Sequence, residues 1–262
     1  MDRSAFDAYL GLEERHFWRV AKRRLIAGLV EERFAGRSGL HLVDIGGACS
    51  LISQVLQPFG EVESIEPDAE IAEVARSRLG IRVHHGALPN DLPHVAPAHV
   101  VTLLDVLEHI EDDFSALVTV RRALTPDGVL FVTVPALRWL WSDHDVVLGH
   151  HRRYTRAGLA NVLGRAGFKI ERLSYYTSLL FPVVVLQRMV GMLRPNDPHP
   201  SYRVKVPPRP INTAMGVVMS VERRLLASLD LPIGSSLFAV ARPHGVDVVG
   251  CVRSSNMRSL GS

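Results

Sequence analysis

The stretch Leu40-His41-Leu42-Val43-Asp44-Ile45-Gly46-Gly47-Ala48-Cys49-Ser50 decides the fold. Its apolar run, bounded by Gly39 and Gly46, reads as a strand buried on both faces. The run ends in an acid, a glycine pair and small residues, then passes into Leu51-Ile52-Ser53-Gln54-Val55-Leu56, which predicts a helix. Strand, glycine turn and helix together bring backbone N–H groups close to a ligand at a helix N-terminus. Glu66, twenty-two residues after Asp44, closes a second apolar stretch, Val62-Glu63-Ser64-Ile65. An acid at the end of the second strand is the usual partner of a ribose diol. The pattern predicts a nucleoside-binding half-sheet.

The dinucleotide fingerprint G-x-G-x-x-G fits poorly, because Gly47-Ala48-Cys49-Ser50 follows Gly46 and the third glycine is absent. Val43-Asp44-Ile45-Gly46-Gly47-Ala48 resembles instead the first motif of the class I S-adenosylmethionine-dependent methyltransferases, with Ala48 and Ser50 where further glycines are common. The resemblance implies that Asp44, Gly46, Gly47 and Ala48 hold the methionine part of the cofactor S-adenosyl-L-methionine. It also implies that Glu66, followed by Pro67, holds the ribose.

A second motif follows at the expected distance. His99 to Leu104 reads as a buried fourth strand, and Leu104-Asp105-Val106-Leu107-Glu108-His109 resembles the post-strand motif of small-molecule members of that family. This assigns Asp105 and Val106 to the cofactor. The Asn/Asp-Pro-Pro-Tyr motif of enzymes that methylate base or side-chain amines is not present, which argues against a nucleic-acid acceptor. Leu124, Pro126 and Gly128 form the family's turn before a fifth strand, Val129 to Val134. Gly86-Ala87-Leu88-Pro89 occupies the place of the adenine contact, with Ala87 where many members carry Asp. Adenine would then be held by backbone groups at Ala87 and by Leu88.

Asp105, Glu108 and His109 can also be read as ligands of a divalent ion, as in some quinone-type O-methyltransferases, or as cofactor contact and local packing. No further ligand cluster is identifiable, so no metal is expected.

The 262 residues suit one large α/β domain, and 47% hydrophobic content is enough for a sizeable core. Thirty basic against 27 acidic residues leave a formal charge of +3, too balanced to argue for nucleic acid. The first residues, Met1 to Phe6, lack the apolar core of a signal peptide, which predicts a cytoplasmic protein. Cys49 and Cys251 make neither a disulfide framework nor a zinc site.

Residues 13–34 read as one helix, with Phe17, Val20, Ala21, Leu25, Gly28 and Leu29 on an apolar stripe and Arg19, Lys22 and Arg23 largely elsewhere. Glu14-Arg15-His16-Phe17-Trp18 resembles an N-terminal segment of bacterial family members that covers the cofactor. This makes Trp18 a cofactor contact, against the plainer reading of aromatic packing on the sheet.

The loop Trp139 to Thr155 has the most unusual composition in the chain. Loops at the carboxyl ends of the strands face the ligand crevice, so it lies where an acceptor binds. Removing a proton from a hydroxyl acceptor suits histidine. His144 or His150 is the expected base, with His109 a further candidate. Asp143, Arg152, Arg153 and Tyr154 are the expected acceptor contacts, against a loop in which the arginines merely neutralise Asp143 and Asp145.

Thr155 predicts a cap for a helix ending at Gly167, and Phe168 to Tyr176 a sixth strand. The antiparallel seventh strand fits Ser236 to Arg242, leaving a helical insertion at about 177–230. Residues 178–194 are apolar almost all round, yet Gln187-Arg188 interrupts the run, so it does not span a membrane. A packed or dimer-forming helix, a wall of the acceptor pocket, and peripheral membrane contact all fit it. The domain thus covers 1–243, and the polar, serine-rich 244–262 is expected to be disordered.

The expected architecture is a doubly wound, Rossmann-like, seven-stranded α/β sheet with an antiparallel last strand, an N-terminal helix and the insertion. The expected activity is S-adenosylmethionine-dependent O-methylation of a small molecule, sugar or lipid-linked glycan. A non-catalytic nucleoside-binding module and an NAD-dependent oxidoreductase are the alternatives.

Overall fold

A computed structural model describes residues 3–47, 51–192 and 205–244. The chain enters through two helices, α1 (Arg3–Arg15) and α2 (Phe17–Arg33), and then lays down β1 (Leu40–Ile45), α3 (Ile52–Leu56), β2 (Gly60–Glu66), α4 (Ala69–Leu79) and β3 (Arg82–His85). The second half runs β4 (Ala98–Leu104), α5 (Asp113–Ala123), β5 (Leu124–Pro135), α6 (Asp143–Val147), α7 (Arg156–Arg165) and β6 (Phe168–Tyr176). It closes with α8 (Phe181–Met192), α9 (Arg209–Leu226) and β7 (Ser236–Pro243). The seven strands form one sheet in the order β3-β2-β1-β4-β5-β7-β6, and only β7 runs antiparallel to its neighbours. The order reverses between β1 and β4, and the crevice beyond their carboxyl ends is where such sheets bind ligands.

Alternate strand residues serve the two faces. Val43 and Ile45 join Val101, Leu103, Leu130 and Val132 under α5 and α7. Leu42 joins Val100, Phe131 and Phe238 under α2 and α3. Strands sandwiched in this way carry unbroken apolar runs, which is why β1 and β4 were readable in the sequence. The caps are equally local: Asp68 accepts from Ile71 N–H at 3.0 Å, Thr155 from Gly158 N–H at 3.0 Å, and Gly80 ends α4 at φ +62°.

Three expectations change. The helix expected over 13–34 is broken at His16, whose ring accepts from Trp18 N–H and starts α2 afresh. Arg19, Lys22 and Arg23, expected to face away from the core, are each at most 8% exposed. β5 also starts early: Leu124 already pairs with Ala98 and Val129 with Val100, so the 125–128 turn loops out within the strand. The tail beyond 244 lies outside the described residues. Among those described, no helix is long and apolar enough to cross a membrane.

Candidate functional site

The glycine turn after β1 forms one wall of a cavity of about 290 Å³ at the switch point. Gly46 has φ +75°, and a Cβ there would stand 2.7 Å from a Val106 methyl. A Cβ on Gly47 would stand 1.7 Å from Asp44 Oδ2, so the carboxylate would have to move to admit one. Asp44 accepts from Thr102 Oγ1 at 2.6 Å and Ser53 Oγ at 3.1 Å, tying β1 to β4 and to α3. Burial pushes its carboxyl up to about 6 despite these hydroxyls. The acid of the motif therefore shapes the turn from beneath, and the glycines keep side chains out of the turn at the cavity wall. Ala48 lies outside the described residues.

The second wall is charged. Lys22 Nζ meets Asp105 Oδ2 at 2.8 Å and sits 4.8 Å over the Trp18 ring, while Thr133 Oγ1 donates to Asp105 Oδ1 at 3.0 Å. Burial alone would raise the Asp105 carboxyl, but Lys22 and the Thr133 hydroxyl hold it below its ordinary value. Its backbone is left-handed, φ +57°, an uncommon conformation for a non-glycine residue at the end of a buried strand. Glu13 from α1 pairs with Arg19 and, at 2.9 Å, with Arg23. Trp18 lines the cavity and donates Nε1–H to Thr177 Oγ1 at 3.0 Å. Trp18 and Asp105 were expected here; the cations beside them were not, although Arg19, Lys22, Arg23 and Ile26 share one helical face at i, i+3, i+4 and i+7.

The third wall comes from the 138–155 loop. Asp145, fully buried at the start of α6, accepts from Ser142 N–H at 3.0 Å, from His150 Nδ1 at 2.9 Å and from Arg153 at 2.8 and 3.1 Å. Burial opposes its charge, but His150 and Arg153 hold the carboxyl far below the usual carboxylate range. The carboxylate can only accept, so Nδ1 of His150 carries a proton, and in the neutral imidazole Nε2 is the acceptor. The His150 ring meets His109 edge-on at 4.7 Å. Burial, then His150, lowers the His109 imidazole. Glu108 is fully buried, neither carboxyl oxygen has a hydrogen-bond partner, and burial followed by Asp105 raises it well above the carboxylate range. One ligand atom each of Glu108, His109 and His150 lies within 4.8 Å of the others. His144 also lines the cavity, and burial followed by Arg188 lowers it to about 4.

Several expected contacts sit elsewhere. Arg153 lines the cavity but its guanidinium is spent on Asp145 and the Ala136 carbonyl, a structural brace rather than an acceptor contact. Arg152 pairs with Asp113 at 2.9 Å, and the buried Tyr154 donates to the same carboxylate at 2.8 Å; neither lines the cavity. Asp143 is exposed at the first position of α6. The short sequence distance between these residues hid the fact that successive side chains of an extended segment point opposite ways.

Glu66, Pro67, Ala87, Leu88 and Val106 cluster at the neighbouring strand ends. Glu66 is buried and accepts from Asp68 N–H at 3.2 Å, and Gly86 N–H reaches the Glu66 carbonyl at 3.1 Å. His85 Nε2 lies 3.2 Å from the Pro67 carbonyl. The backbone N–H and carbonyl of Ala87, expected to face adenine, both bond Asp91 across a tight bridge at 2.8 and 2.9 Å. That places an acid opposite Ala87 which the sequence reading did not single out.

A family model described as a methyltransferase domain matches residues 17–173. A probable S-adenosylmethionine-dependent methyltransferase of Mycolicibacterium smegmatis is 29% identical over 165 residues, 62% of this chain and 63% of that one. A ubiquinone biosynthesis O-methyltransferase of Haemophilus ducreyi is 27% identical over 115 residues, 40% of this chain and 49% of that one. The chain thus spans between about half and two thirds of these relatives' length. Among solved structures, the [4+2]-cyclase SpnF matches with a TM-score of 0.55 at 20% identity, over 87% of this chain and 83% of that one. A phosphoethanolamine N-methyltransferase 2 of Haemonchus contortus, solved with phosphomonomethylethanolamine and S-adenosylhomocysteine, matches at 0.53 and 15% identity, over 83% and 52%. These likenesses carry the fold, a cyclase among them. The glycine cradle at the switch point, the seven-stranded order with its reversed last strand and the matched family model agree: this chain belongs to the methyltransferase-domain family and has its Rossmann-like fold.

Proposed function

We propose that the methyl acceptor is a hydroxyl group of a small molecule and that His150 is its general base. The observation that carries this is the Asp145–His150 pair, with His150 on the cavity wall beside Asp105 and the glycine turn. The name of the Haemophilus ducreyi relative, an O-methyltransferase, supports oxygen as the nucleophile.

The residues present fit S-adenosylmethionine: Gly46 and Gly47 keep side chains out of the turn at the cavity wall, and Trp18 and Asp105 line the same cavity. Glu66 stands at the end of β2, where a ribose diol is held. The bound cofactor supplies an electrophilic methyl group on a sulfonium. His150 Nε2 takes the hydroxyl proton as the oxygen becomes nucleophilic, and Asp145 stabilises the resulting imidazolium without itself accepting a proton. Arg153 fixes Asp145 through two nitrogens, so the imidazole is held in one orientation before the acceptor arrives. Much of the remaining acceleration comes from alignment in a confined space.

The test is His150→Gln, which leaves the Asp145–Arg153 pair intact. Turnover with a hydroxyl acceptor falls about 100-fold or more, the usual range for a general base, while S-adenosylhomocysteine affinity stays within twofold. Full turnover in this variant refutes the assignment.

A second reading has its own observation. Glu108, His109 and His150 present three ligand atoms to one point, Glu108 is buried without a partner, and Asp145 orients His150 as a carboxylate orients a metal-bound imidazole. A divalent ion there would lower the pKa of the acceptor hydroxyl. Elemental analysis of the purified protein, with turnover before and after chelation, separates the two: metal-free protein with full activity leaves the base alone.

A further inference from the structure

A second cavity, of about 520 Å³, opens from the first and shares Trp18, Arg19, His144, Val184 and Ser235 with it. Its lining is mixed: Phe17 from α2, Leu180 and Val183 at the start of α8 and Met215 from α9 form an apolar side, and Arg19 and Lys205 lie on the polar one. This volume lies within the range of pockets that enclose organic ligands. It begins beside His144, at the acceptor end of the site, and runs between helices whose outer faces also expose apolar side chains. Leu186 is 62% and Met189 59% exposed on α8, and Val217 59% on α9.

Arg188 projects from α8 into the first cavity. Its guanidinium donates to the Ser142 hydroxyl, and among the described residues no carboxylate lies within ion-pair distance of it. Of the two acids that act on it from a distance, Asp145 is already bonded to Arg153 and His150, and Asp143 is exposed to solvent. Burial and then Arg153 lower the Arg188 pKa, which marks a cation short of a counter-charge. A guanidinium in that state offers several fixed N–H donors to a planar or tetrahedral oxyanion.

We infer that the acceptor is an amphipathic anion, with its oxyanion on Arg188 at the mouth shared by the two cavities and its apolar chain in the cavity beneath α8. The inference rests on the reading that the first cavity receives the methyl acceptor, and it names the class of molecule that enters. Arg188 sets the charge preference and the apolar side of the cavity sets the preference for a chain. The exposed side chains on α8 and α9 extend the same apolar surface beyond the cavity.

The probes are monomeric octyl phosphate, nonanoate, ethyl phosphate and octyl glucoside, each titrated calorimetrically into protein saturated with S-adenosylhomocysteine. Octyl phosphate or nonanoate binds at least tenfold tighter than either ethyl phosphate or octyl glucoside, and the tighter of the two names the oxyanion. Arg188→Gln removes the advantage over octyl glucoside, and Val183→Glu removes the advantage over ethyl phosphate. In both variants S-adenosylhomocysteine affinity, which reports the fold, stays within twofold. The inference fails if the long-chain anions bind no tighter than ethyl phosphate, no tighter than octyl glucoside, or equally well to Arg188→Gln. Because binding is read without turnover, a fully active His150→Gln would remove the base and leave this result standing.

Discussion

Gly47→Ala tests the cradle at its tightest point. The added methyl would stand 1.7 Å from Asp44 Oδ2, 2.4 Å from its Cγ and 2.8 Å from Oδ1, so the carboxylate has to swing away. In doing so it gives up the Thr102 and Ser53 hydroxyls. Hydrogen bonds to a charged group contribute about 1.5–3 kcal/mol each, which sets the loss at about 3–6 kcal/mol. That is a large share of the stability of an ordinary domain. Urea unfolding and calorimetric titration with S-adenosylhomocysteine, run on the wild type, Gly47→Ala, Asp44→Ala and the double variant, read both consequences. The expected results are a loss of about 3 kcal/mol or more in Gly47→Ala, within the range for two such bonds, and an affinity at least tenfold weaker. In the Asp44→Ala background the same alanine costs far less, because the atom it strikes is gone. Strict additivity in this cycle, or a Gly47→Ala protein within about 0.5 kcal/mol of wild type, the spread seen for independent sites, refutes the account.

Other perturbations probe the remaining walls. Lys22→Met leaves Asp105 charged and largely buried, and costs about 3–5 kcal/mol by chemical denaturation; adding Asp105→Asn restores most of that stability, whereas an equally unstable double variant would show that the pair is not the cause. Glu222, 1% exposed on α9, accepts from the backbone N–H groups of Thr177, Ser178 and Leu179 at 2.5, 2.7 and 2.7 Å. Glu222→Ala orphans all three at the entrance to α8, so the melting temperature falls and octyl phosphate binding weakens more than S-adenosylhomocysteine binding. An unchanged melting temperature contradicts the capping role. Asp44, pushed up to about 6 by burial, favours the protonated form on folding, so its contribution is full below pH 4 and is lost as pH rises through 6. The shift of about two units is worth up to about 3 kcal/mol. Asp44→Asn therefore gains stability relative to wild type between pH 4 and 7, and a difference that does not vary with pH rules out the raised carboxyl.

The sequence by itself determined the sheet and the glycine turn at its switch point. Buried parallel strands need unbroken apolar runs, a cradle needs glycine where Asp44 leaves no room for a Cβ, and helix caps are bonds between near neighbours. Each of these signals is written within a few residues, so it survives without the fold. The wall built from the 138–155 loop was decided only by tertiary structure. His150, Arg152, Arg153 and Tyr154 look equivalent along the chain, yet packing turns His150 to the cavity, Arg153 onto Asp145, and Arg152 and Tyr154 to Asp113. Arg188 gives no local sign that it reaches Ser142, forty-six residues earlier. Lys22 gives none that it closes on Asp105, eighty-three residues later. Charges that far apart in sequence find one another only because the helices carrying them are pinned by apolar contacts elsewhere, and no local pattern encodes that pairing.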